Sequence, residues 1–113
     1  MTHEHFTAFK IPNGQLLTKE ADSFLNNGHV IRSISLCELT GSKEIILTLG
    51  YDGSEKSAHK YHMVSENIGH SNMSLEEITE KINKVAKKLE GVICQDLTEV
   101  GESLILTFLT IAK

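Results

Sequence analysis

The chain is expected to fold as a small α+β domain of two tandem strand–helix–strand–strand units, spanning about residues 3–53 and about residues 58–113. Three observations predict this. Apolar spacing moves from strand-like to helix-like and back in the same order in both halves. A glycine stands after each helical stretch, at Gly28 and at Gly91. The last strand of each half has a similar sequence, with Ile45-Ile46-Leu47-Thr48-Leu49 matching Leu104-Ile105-Leu106-Thr107-Phe108.

Residues 5–11 read as a strand rich in aromatic and apolar side chains, and Pro12-Asn13-Gly14 supplies turn chemistry at its end. A helix is expected over 18–27, capped by Thr18, with Ala21, Phe24 and Leu25 facing inward. Strands follow at 30–39 and 44–51, joined across Thr40-Gly41-Ser42. Asp52-Gly53 reads as a two-residue hairpin turn, because both residues tolerate positive φ. A strand is then expected over 59–66 and a loop over 67–73.

Ser74 and Glu77 have the spacing of a capping box, in which each side chain reaches the other residue's backbone N–H. From there Leu75, Ile78, Ile82, Val85 and Leu89 form the apolar stripe of an amphipathic helix that Gly91 ends. Two strands, 92–98 and 103–112, close the chain through Glu99-Val100-Gly101-Glu102.

Duplicated units of this kind predict a ferredoxin-like arrangement: about six strands in one mainly antiparallel sheet, with both helices on one face. Along 103–112, Leu104, Leu106 and Phe108 point one way while Ile105, Leu109 and Ile111 point the other. An antiparallel strand with one wet face should alternate apolar with polar, so a second cover is implied. A homodimer packing sheet on sheet would supply it. The order of elements resembles the dimeric α+β barrel class, in which two ferredoxin-like units face their sheets together. No motif accompanies that resemblance, so it implies an architecture and no activity.

Composition narrows the partners. The 113 residues carry 15 acidic and 11 basic side chains, a net charge of −4, with no basic stripe beyond Lys81, Lys84, Lys87 and Lys88 on one helix. Nucleic-acid binding is therefore not expected. No apolar run approaches the roughly 20 residues of a membrane span, so no membrane partner is expected. Two cysteines, Cys37 and Cys94, make no disulfide framework and fit a reducing, cytoplasmic compartment.

Six histidines offer the main chemistry. His3 and His5 are two apart, and His59 and His62 are three apart. Aligning the halves puts His5 on His62 and Ile11 on Ile68 without a gap. Were the first strands of the two halves neighbours, His5 and His62 would converge and be the candidate acid–base pair. With Glu4, Glu66 or water they could also ligate zinc, nickel or iron, but no spacing matches a metal motif. We expect no metal and no cofactor. Tyr51 and Tyr61 flank the expected hairpin and are the candidate ligand contacts. Two functions follow from these readings: a homodimeric domain that binds a small apolar ligand or a partner, or a small enzyme, cofactor-free or metal-assisted, built on His5 or His62.

Overall fold

A computed structural model describes residues 4–12, 18–39, 44–56 and 60–112. Its elements are β1 (Glu4–Pro12), α1 (Lys19–Leu25), β2 (His29–Leu39), β3 (Glu44–Lys56), β4 (Lys60–His70), α2 (Leu75–Ala86), β5 (Val92–Val100) and β6 (Ser103–Ala112). The fold is α+β, and every strand pairing is antiparallel. The expected turns at Asn13-Gly14 and Thr40-Gly41-Ser42 lie outside the described residues, as do His3 and His59.

The strands form two three-stranded sheets, β1-β3-β2 and β4-β6-β5, and not the single ferredoxin-like sheet. The reason lies in the third strand of each half. β3 opens with the run Ile45-Ile46-Leu47-Thr48-Leu49 and β6 is apolar almost throughout, and each takes the centre with both edges paired inside its own half. β1 pairs with β3 over its whole length, from Glu4 opposite Asp52 to Pro12 opposite Glu44. β1 and β4 are thus outer strands of different sheets, not neighbours in one.

Both helices do not lie on one common face either. α1 packs with Ile11, Ile31, Ile34, Leu47 and Leu49 of the first sheet, and Tyr61 and Leu109 of the second sheet join the same core. α2 lies on the opposite face of the second sheet, over Ile68, Leu104, Leu106 and Phe108. The second sheet is therefore the middle layer. Apolar residues on both sides of β6 are covered within the chain, by the first half on one side and α2 on the other. The pattern that called for a second subunit has an intramolecular cover.

Three local boundaries also differ. Asp52-Gly53 is not a turn: β3 runs on to Lys56, and the rings of β1 lie against its glycines. β4 continues through the expected loop to His70, with a bulge between Asn67 and Gly69. α2 ends at Ala86, short of Gly91, and Leu75 is exposed rather than part of the buried stripe. The caps form as local chemistry dictates. Thr18 Oγ1 accepts from Ala21 N–H at 3.3 Å, and Ser74 Oγ accepts from Glu77 N–H at 3.2 Å. Glu77 differs in one detail, since its carboxylate accepts from the Ser74 hydroxyl and not from the Ser74 backbone.

The two halves meet along β2 and β5 without a backbone ladder between them. Side chains do the joining. Asp96 Oδ2 accepts from Leu36 N–H at 3.2 Å, and Thr98 Oγ1 lies 3.0 Å from the Leu36 carbonyl and close to Asp96. Glu38 Oε2 accepts from Gly101 N–H at 2.7 Å, and Ile34 donates from its backbone to Cys94. The Tyr61 hydroxyl accepts from Ile31 N–H at 3.2 Å. Edge groups that would otherwise be stranded in a part-buried seam are thereby satisfied.

Candidate functional site

The richest group of functional side chains stands at one end of the first sheet. Strand alternation turns His5 and Phe9 of β1 to the inner face, where His5 is directly opposite Tyr51 of β3. Their rings stack with centroids 5.5 Å apart. From α1, Phe24 meets Tyr51 edge-on at 4.9 Å and stacks on His29, the first residue of β2, at 4.3 Å and an interplanar angle of 15°. His29 also meets Tyr51 at 4.9 Å, and Phe9 lies 5.7 Å from Phe24. Four elements thus bring two imidazoles and three other rings together, an arrangement suited to stacking on a ring or apolar side chain.

Gly53 is part of this design. A Cβ there would stand 2.4 Å from His5 Cδ2, so the imidazole lies in the space that a side chain would fill. On the outer face, a Cβ on Gly50 would meet the Phe6 ring at 3.1 Å. Phe6 is nonetheless 66% exposed. β1 therefore carries an uncovered ring on each face near its N-terminal end.

A bulge in β2 leaves Arg32 as the extra residue between Ile31 and Ser33. Such a bulge re-aims its side chain. Here the guanidinium lies 3.5 Å from Asp52, whose carboxylate is buried. β5 has a bulge at the matching register, with Ile93 extra between Val92 and Cys94.

The structure does not bring His5 and His62 together. His62 is on the second sheet, opposite Thr110, exposed, and on the side that carries α2. Tyr51 belongs to the ring cluster, whereas Tyr61 is buried with its hydroxyl engaged by Ile31. The cysteines do not match across the halves: the registers put Cys94 with Ser33 and Cys37 with Thr98. Cys37 is exposed and Cys94 partly buried. Burial pushes the Cys94 thiol above its ordinary pKa, and the Ile34 hydrogen bond partly opposes this. Among the described residues no three His, Cys, Asp or Glu side chains are grouped to hold a metal, and no helix is long and apolar enough to cross a membrane.

Phe24, His29 and the Arg32–Asp52 pair were not singled out as functional from the sequence. The direction of Phe24 was readable from its helical spacing. His29 follows Gly28 in an ordinary strand start, and the bulge that turns Arg32 has no local signature. Compared with protein-family models, curated proteins and solved structures, the chain matches none.

Proposed function

We propose that this chain is an interaction domain, and that it binds an extended partner segment along the outer edge of β1. The observation that carries this reading is the edge itself. β1 is a nine-residue strand hydrogen-bonded on one side to β3 and, among the described residues, to no strand on the other. Such an edge offers a row of backbone donors and acceptors to an added strand. Phe6 on the outer face, with His5 and the Tyr51 cluster on the inner face, would contact alternate side chains of that strand. β4, the corresponding outer strand of the second sheet, has α1 over one face and α2 over the other.

A selection from displayed random peptides against the immobilised protein tests this reading. Amide chemical shifts of the labelled protein then map each selected peptide. Shifts centred on residues 4–12 support it. Peptides that map elsewhere, or a selection that yields none, overturn it.

A further inference from the structure

The β1 edge is complementary to itself, and we infer that its occupant is a second copy of this chain, paired antiparallel about Thr7. This rests on the edge being the binding surface and goes on to name the partner. In an antiparallel pair related by a two-fold axis through Thr7, directly opposed residues have numbers that sum to a constant. Glu4 then faces Lys10 of the second copy, and Lys10 faces the second copy's Glu4. Both are exposed in the single chain and share the outer face. Two opposite-charge pairs form for one strand pairing, an arrangement that stabilises cross-strand neighbours.

The remaining positions agree. Phe6 faces Ala8 on the outer face, so an uncovered ring meets a small apolar side chain. Thr7 faces Thr7, a favourable cross-strand pair. On the inner face His5 faces Phe9. Since His5 already stacks on Tyr51 and Phe9 touches Phe24, this contact would run the ring clusters of both copies into one another. Moving the centre one residue, to Ala8, sets Phe6 against Lys10 and Glu4 against Pro12, and both charge pairs are lost. The isologous pairing closes after two copies, giving one six-stranded sheet from two first sheets and leaving neither β1 edge open.

Charge reversal with rescue tests the pairing by molar-mass measurement, with light scattering coupled to size exclusion over a concentration series. The native chain is expected to be a dimer at high micromolar concentration. Lys10→Glu sets two like-charge pairs in the interface and should weaken dimerisation by about tenfold or more. Glu4→Lys/Lys10→Glu restores opposite charges in this register alone and should return the affinity to within about threefold of native. Both positions are exposed, so unchanged thermal melts at dilute concentration verify the fold. In a Cys37→Ser background, Thr7→Cys should give a disulfide-linked dimer on mild oxidation. A native monomer overturns the inference, even where selected peptides map to β1 and uphold the edge as a binding surface. A dimer that Lys10→Glu does not weaken, or that the double reversal does not restore, overturns the Thr7-centred pairing.

Discussion

Gly91 and Ile111 meet backbone to backbone: the Ile111 N–H donates to the Gly91 carbonyl at 2.9 Å, and a Cβ on Gly91 would stand 2.7 Å from the Ile111 carbonyl oxygen. Gly91 also has φ +70°, in the left-handed region. Since α2 already ends at Ala86, Gly91 is not its stop signal. It sets the chain leaving α2 against the end of β6, the central strand of the second sheet.

Gly91→Ala should accordingly destabilise the domain by about 2–4 kcal/mol, from left-handed strain plus a clash with backbone that has no rotamer to escape into. Gly101 also has positive φ, but its missing Cβ would meet nothing within 4 Å. Gly101→Ala should then cost only the strain, about 1 kcal/mol. Urea unfolding of the two variants separates these contributions. Equal losses would show that the close approach to Ile111 adds nothing.

Tyr61→Phe removes a single oxygen from the core shared by the two halves. That oxygen accepts from Ile31 N–H in a buried position, and Phe cannot replace it. Leaving a buried donor unpaired costs about 1–3 kcal/mol. Chemical denaturation should show that loss, and the Ile31 amide should exchange faster with solvent. A stability within 0.5 kcal/mol of native, which is about the noise of ordinary surface changes, would contradict the role given to Tyr61.

Asp96 and Thr98 act on one residue, Leu36, so their substitutions should not add. Asp96→Ala leaves the Leu36 N–H without its carboxylate, and Thr98→Val leaves the Leu36 carbonyl without its hydroxyl. Each should cost about 1–2 kcal/mol. Thr98 has one hydroxyl proton for two acceptors, Leu36 and Asp96, so the two sites are coupled. The double variant should differ from the sum by about 0.5 kcal/mol or more. Simple additivity in a double-mutant cycle would rule out a shared network at the seam.

What the sequence made legible follows the range of the interactions. The order of elements, the Thr18 and Ser74 caps and the inward Ala21 and Leu25 depend on near neighbours, and each was readable. The single sheet was not correct, because apolar side chains on both faces of a strand say that it is buried but not which strands flank it. Asp52-Gly53 has the chemistry of a turn, yet the glycine serves the close approach of His5 from another strand. The same limit applies to the candidate residues. His5 and Tyr51 meet because β1 and β3 pair, while His5 and His62 could meet only if β1 and β4 did. The seam was invisible for a further reason: Cys94, Asp96 and Thr98 bind the backbone of β2, which has no sequence signature.

Cys94 gives a test that depends on pH. Burial raises its pKa in the folded chain above the ordinary thiol value of 9.0, with the Ile34 hydrogen bond a smaller opposing effect. The folded state therefore holds the thiol proton more tightly than the unfolded state does. The contribution is fully present below the unfolded pKa, and it is lost as pH rises through that value toward the higher folded one. Stability should then fall above about pH 9, and part of that fall should vanish in Cys94→Ser, which has no thiol to ionise. Reactivity should follow the same order. Near pH 8 iodoacetamide should modify the exposed Cys37 well before Cys94, since the thiolate is the reacting form and burial both suppresses and shields it. Mass spectrometry of a modification time course reads this directly, and equal rates at the two cysteines would show that the Cys94 thiol is neither buried nor held protonated by the fold.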